Sequence, residues 1–95
     1  MKFAFIILGE DFHPDTDRAE IHGGAARIIG VSSVREACRE AVRLKDEGIG
    51  CIELCGAFGP DGAAQVIDAT RNSLPVGYIT HLPGQDPLYR KVFGE

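Results

Sequence analysis

Apolar positions recur along this chain in short unbroken runs and in one long helical stripe. Residues 2–8 (KFAFIIL) form a nearly continuous apolar run, too short for a stable helix. Such a run reads as a strand buried on both faces, the kind that occupies the centre of a parallel sheet. Residues 25–31 (AARIIGV) read as a second strand; Arg27 and Gly30 suit it to an edge. Residues 50–55 (GCIELC) give a third and residues 75–81 (PVGYITH) a fourth, with Pro75 at the first position, where a strand tolerates proline.

Between the second and third runs the period changes. Val34, Ala37, Cys38, Ala41, Val42 and Lys45 follow the i, i+3, i+4, i+7 spacing of one helix face, apolar except at Lys45. Ser33-Val34-Arg35-Glu36 is a capping box, and Gly48 stands where a left-handed residue ends a helix. The spacing predicts a helix at about 34–47. Pro60 opens a second helix, predicted at about 60–72, with Ala63, Val66, Ile67 and Thr70 on one face. The polar stretch 9–24 holds a short helical turn over 14–22, opened by Pro14 and closed by Gly23. From Leu82 onward, two prolines precede an apolar end (Leu88, Tyr89, Val92, Phe93) that reads as a short helix or a strap onto a neighbour.

Strands alternating with helices define a single three-layer α/β domain with a mainly parallel four-stranded sheet. The more apolar first and third strands belong at the centre. The favoured order is therefore 2-1-3-4, half of a flavodoxin-like sheet; a consecutive order, as in part of a (β/α)₈ barrel, is the alternative. The order locates a site. In an open α/β sheet a ligand binds beyond the carboxyl ends of the strands, where the strand order reverses. Here that is the crevice walled by Gly9, Glu10 and Asp11 on one side and by residues 55–59 on the other, with His81 nearby.

Composition limits the partners. The 95 residues carry a net charge of −4 and no basic block, which argues against nucleic acid and anionic membrane surfaces. No apolar run reaches the roughly 18 residues of a spanning helix, and the run at 3–8 leads to no cleavage site of a signal peptide. Three cysteines, an odd number, fit a reduced cytoplasmic chain better than a disulfide framework. Cys51 and Cys55, four residues apart in one strand, lie roughly 13 Å from each other, too far to bridge or to share a zinc ion.

Glu53 is the residue most at odds with its surroundings, a carboxylate between Ile52 and Leu54 in a strand expected to be central. Burying it costs several kcal/mol unless it is paired, so it reads either as a pocket base or as half of a salt bridge, for instance to Arg27. Cys55 ends the same strand beside a helix N-terminus, where a thiol can be nucleophilic, or it can simply fill space beside the turn. With His81 as acid or base, Glu53 and Cys55 make the candidate catalytic set. Glu10, Gly56, Phe58 and Gly59 are the candidate ligand contacts. The turn Gly56–Gly62 can present backbone amides to an anion, but it matches no dinucleotide or Walker pattern, and Asp61 in the first helical turn would repel an anion. His13, His22 and the acidic loop lack the spacing of a metal motif, so no metal and no cofactor is expected. Six of the 14 carboxylates (Glu10, Asp11, Asp15, Asp17, Glu20, Glu53) fall at or near the predicted binding end, which favours a small cation or a hydroxyl-rich neutral ligand over a nucleotide.

The segment Cys51-Ile52-Glu53-Leu54-Cys55-Gly56-Ala57-Phe58-Gly59, with the apolar first strand and Pro75-Val76-Gly77, resembles a family of small microbial α/β proteins classed only as a domain of unknown function. The resemblance spans most of the chain. It implies the α/β fold and points to Glu53, Cys55, Gly56 and Gly59; it implies no reaction.

Three functions fit these observations: a small-molecule-binding domain acting as a homodimer or higher oligomer, a small enzyme using Glu53 with Cys55 or His81, and a non-catalytic assembly module. Open sheet edges and an apolar tail favour self-association.

Overall fold

The computed structural model describes residues 1–94. Its elements are β1 (Phe3–Leu8), β2 (Arg18–Ile21), β3 (Ala26–Val31), α1 (Val34–Asp46), β4 (Cys51–Leu54), α2 (Gly59–Ala69), β5 (Val76–Tyr78) and α3 (Asp86–Phe93). The five strands form one sheet in the order β2-β3-β1-β4-β5. β3, β1, β4 and β5 are parallel, and β2 runs antiparallel to β3 at one edge. The four strands expected from the apolar runs thus stand in the favoured order. The fifth strand replaces the helical turn expected over 14–22: Arg18-Ala19-Glu20-Ile21 is extended and pairs with β3, and a short 3₁₀ turn, His22–Gly24, links the two. Pairing with the edge of a formed sheet satisfies more backbone groups than one isolated helical turn can.

Crossover handedness decides the layers. Parallel crossovers are right-handed, so the face a connection covers depends on the direction in which it crosses the sheet. The steps β3 to β4 and β4 to β5 run in the same direction, and α1 and α2 pack against each other and against the sheet accordingly. The step β1 to β3 runs the other way and should cover the opposite face, but it contains no α-helix. The three-layer expectation is therefore corrected: α1 and α2 cover one face, and the opposite face carries no helix layer.

Side-chain alternation agrees with this layering. Ala4, Ile6, Ile29, Val31, Ile52 and Leu54 point to the helices and are fully buried, packing with Ala37, Ala41, Leu44, Phe58, Ala63 and Val66. The residues between them, Phe3, Phe5, Ile7, Ile28, Cys51 and Glu53, point to the other face and are exposed or half-buried. There Phe12, from the β1–β2 loop, lies over Gly30; a Cβ at Gly30 would come within 2.8 Å of the Phe12 ring. Phe12 is all that the first connection lays on this face at Gly30.

α1 is set at both ends. Ser33 Oγ accepts from the Glu36 amide at 3.1 Å, as in a capping box. Glu36 reaches one residue further back than the box requires, accepting from the Ser32 amide at 2.7 Å and from its hydroxyl at 2.9 Å. These hydrogen bonds, chiefly the backbone one, hold the Glu36 carboxyl below its ordinary value. Glu40, on the sheet side, is buried and meets Arg18 at 3.5 Å and Arg43 at 3.4 Å, while Arg27 pairs with Glu47. Arg18 and Arg27 thereby pin the β2–β3 edge to α1. α2 ends at Ala69, short of the expected Asn72, because Arg71 and Asn72 adopt left-handed backbone conformations. Thr70, fully buried, satisfies its hydroxyl on the Val66 and Ile67 carbonyls.

Ser33→Ala should lower stability by about 1 kcal/mol, the usual worth of a cap, a fall of roughly 4–8 °C in melting temperature for a domain of this size. Glu36→Gln should be destabilising at neutral pH. The native carboxyl lies below its unfolded value, so the stability it adds is present above the ordinary carboxylate range and is lost as pH falls through the lowered native value. Thermal melts of the two proteins should therefore converge on acidification.

Candidate functional site

The chain leaves the carboxyl ends of β4 and β5 in two short segments that frame a cleft. After Leu54, Cys55 is still extended, Gly56–Phe58 form a 3₁₀ turn, and α2 begins at Gly59 with Pro60 in its first turn. Gly59 takes a positive φ of 61°, a conformation that favours glycine. After Tyr78 the chain continues through Ile79, Thr80 and His81 to a 3₁₀ turn at Pro83–Gln85 and then α3. Between these segments lies a cavity of about 1080 Å³ lined by Leu8, Cys55, Gly56, Ala57, Gly59, Pro60, residues 78–81 and one side of α3.

α3 is held by its aromatic side chains. The His81 ring stacks on Tyr89 with centroids 3.7 Å apart and planes within 8°, and Tyr89 in turn stacks on Phe93 at 5.7 Å. His81 Nε2 lies 2.6 Å from Asp86 Oδ1. Ring face and ring nitrogen are thus both engaged, which fixes the imidazole plane and leaves Nδ1 as the nitrogen without a partner among the described residues. Asp86, Tyr89, Arg90 and Phe93, spaced i, i+3, i+4, i+7, face the cleft. The tail expected as a short helix or strap is therefore a helix closing one side of the cavity.

The structure sorts the candidate residues. Cys55, Gly56, Gly59 and His81 all line the cleft. Cys55 Sγ accepts a hydrogen bond from the Leu8 amide at 3.2 Å, which places the thiol across from the end of β1. Three candidates lie elsewhere. Phe58 is 5 % exposed and packs into the hydrophobic core, because the 3₁₀ turn directs its ring under α2 rather than outward. Glu10 is exposed in the β1–β2 loop and is not among the lining residues. Glu53 lies mid-strand on the helix-free face, outside the cleft. Its neighbours in register are Phe5 and Gly77, and its carboxylate occupies the space over Gly77, where a Cβ would come within 2.7 Å of Oε1. Glu53 forms no ion pair with Arg27, which points to the other face and meets Glu47 and Glu20. Glu53 avoids the burial penalty because the missing helix layer leaves it in contact with water. Glu53 therefore does not share the cleft with Cys55 and His81, the partners expected for it.

Sequence reading missed Tyr89, Arg90 and Asp86 as site residues. The helical spacing of the tail was visible; that its aromatic side turns back onto His81 was not. Among the described residues no group of three His, Cys, Asp or Glu could hold a metal ion, and no helix is long and apolar enough to cross a membrane.

Cys38 and Cys51 are both pushed above the ordinary thiol value, Cys38 by burial and then by the Asp68 charge. At Cys51 burial leads, and Glu53 adds to it by accepting a hydrogen bond from Sγ at 3.5 Å and by its charge.

An open α/β sheet with a cleft beyond its carboxyl edge is an architecture that many unrelated families share. Within it, the chain is a member of the Family of unknown function (DUF6506), which it matches over residues 1–94. No curated protein and no solved structure matches it.

A raised thiol value leaves less thiolate near neutrality, so alkylation of Cys38 and Cys51 by iodoacetamide should be slow at pH 7 and should accelerate only above the usual thiol range. Glu53→Gln removes a charge that holds the Cys51 proton. Peptide mapping should find Cys51 alkylated faster in this variant and Cys38 unchanged.

Proposed function

We propose that the protein is a small-molecule-binding α/β domain that acts as a homo-oligomer in the cytoplasm, with its ligand in the cleft between the Gly56–Pro60 turn and α3. The observation that carries this reading is the cavity of about 1080 Å³ at the carboxyl edge of the sheet, the size of known ligand pockets and at the position where open α/β sheets bind. Its walls suit an amphiphilic molecule. Tyr89, Phe93, Leu8 and Pro60 offer apolar and aromatic surface, and Arg90 and Thr80 offer polar groups at the rim. The acidic loop does not line the cleft, and the carboxylate that does, Asp86, is engaged by His81, so an apolar body with an anionic or hydroxylated end fits it better than a small cation. Three free thiols support a reducing compartment.

The fluorescent anion 1-anilinonaphthalene-8-sulfonate should bind the cleft. Tyr89→Ala should weaken it about tenfold, the worth of one aromatic stacking contact. Glu10→Gln, outside the cleft, should leave it unchanged. Equal binding to wild type and Tyr89→Ala would refute the site.

A second reading, a small acyl-transfer enzyme, is favoured by one observation: Cys55 and the Asp86-oriented His81 line the same cleft. In it, His81 takes the Cys55 proton and the thiolate attacks an activated ester, expelling the alcohol. p-Nitrophenyl acetate should then release a burst of one p-nitrophenol per chain, absent in Cys55→Ala and in His81→Ala.

A further inference from the structure

The helix-free face of the sheet is anomalous for a parallel sheet, because central parallel strands are ordinarily covered on both sides. It presents Phe3, Phe5, Ile7 and Ile28, with Phe3 and Ile28 more than 40 % exposed. The one charged side chain that β1, β3 and β4 direct onto this face is Glu53. The same chain carries a helix with an unpartnered side. Asp86, Tyr89, Arg90 and Phe93 turn toward the cleft, which leaves Leu88, Lys91 and Val92, spaced i, i+3, i+4, pointing away. Leu88 is 57 % and Val92 74 % exposed. One surface lacks a helix and one helix lacks a surface, and their charges are complementary: an apolar field with a central carboxylate, and an apolar ridge with a lysine beside it.

We infer that a second copy of this chain lays the Leu88–Lys91–Val92 side of its α3 on the helix-free sheet face, with Lys91 meeting Glu53, and that the exchange is reciprocal about a two-fold axis. This rests on the homo-oligomer part of the function proposed above and names its surface. Each copy then supplies the helix layer that the other's first crossover omits. A two-fold contact requires that both surfaces be present on every chain, and they are. The extent is modest. Five strands of 6, 4, 6, 4 and 3 residues, at ~3.3 Å per residue and about 4.8 Å apart, give a face of roughly 360 Å² before side-chain relief. An α3 of 8 residues, about 12 Å long and ~10 Å across, covers roughly a third of that face, so the contact is small for a permanent dimer and forms as concentration rises. The arrangement also places the outer side of each α3 under the partner's control while its inner side lines the ligand cleft, so cleft and dimer share one helix.

The light-scattering mass of the wild-type chain should rise toward twice its 10.2 kDa as concentration increases. Ile28→Lys should weaken the dimer at least tenfold while circular dichroism stays native. Glu53→Lys and Lys91→Glu should each weaken it about tenfold, and the double charge reversal should restore it to within about threefold, because the pair is re-formed with opposite polarity. A dimer indifferent to Ile28→Lys overturns this arrangement and leaves self-association standing. A dimer broken by Ile28→Lys but not rescued by the double reversal, as two sheets packed face to face would behave, overturns it too. A wild-type mass of one chain at all concentrations overturns both the arrangement and the homo-oligomer reading. Dye binding in the cleft reads out the ligand site separately from either result.

Discussion

The handedness of parallel crossovers is the constraint on which this structure depends. A right-handed connection covers one face when the chain moves one way across the sheet and the other face when it reverses. The chain reverses once, after β2. The two later connections bring α1 and α2 to a common side, and the core forms there, around Ile6, Ile29, Ile52 and Leu54. The first connection, which alone could cover the other side, is spent on the β2 strand and the Phe12 loop. From that one substitution follow the two-layer architecture, the solvation of Glu53 and the apolar surface left around it.

The connections diverge between β1 and β4, and the cleft opens beside that point, between the ends of β4 and β5 and reaching β1 at Leu8. Here the crevice is bounded by the glycine turn before α2 and by the segment after β5, and α3 folds back along it through the His81–Tyr89–Phe93 stack. The imidazole is held by its face and by Asp86 at once. A group restrained in two ways is a positioned group, and it shares a wall with the one thiol that hydrogen-bonds the end of β1. The chemistry the cleft can offer thus comes from elements far apart in the chain and brought together by the sheet.

Much of the fold was legible because its signals are local. The capping box at Ser33–Glu36, the apolar stripe of α1, the proline that opens α2 and the four short apolar runs each declare an element within a few residues, and the relative hydrophobicity of the runs orders the sheet. β2 was not legible, because Arg18-Ala19-Glu20-Ile21 has no apolar period of its own; its conformation is imposed by pairing with β3 and by the Arg18–Glu40 contact. Phe58 and Glu53 were misplaced for the same reason. Each has an ambiguous sequence context, an aromatic at a turn and a carboxylate in a strand, and only the neighbouring layer decides whether it is buried. Of the candidate site, the backbone part was readable: Cys55, Gly56, Gly59 and His81 stand at strand ends, and strand ends are visible in the sequence. The α3 wall was not, since its side chains reach the cleft only through a turn whose direction no local pattern encodes.

The sequence by itself determined the α/β class, the parallel order of four strands, the positions of α1 and α2 and the end of the sheet at which a cleft opens, because these follow from periodicity, capping and the handedness that L-residues impose. The tertiary structure alone decided which face is covered, whether Glu53 and Phe58 meet water or the core, and which residues of the tail close the cleft. Those outcomes depend on what packs against a surface from elsewhere in the chain, and long-range packing leaves no periodic trace in the segments it brings together.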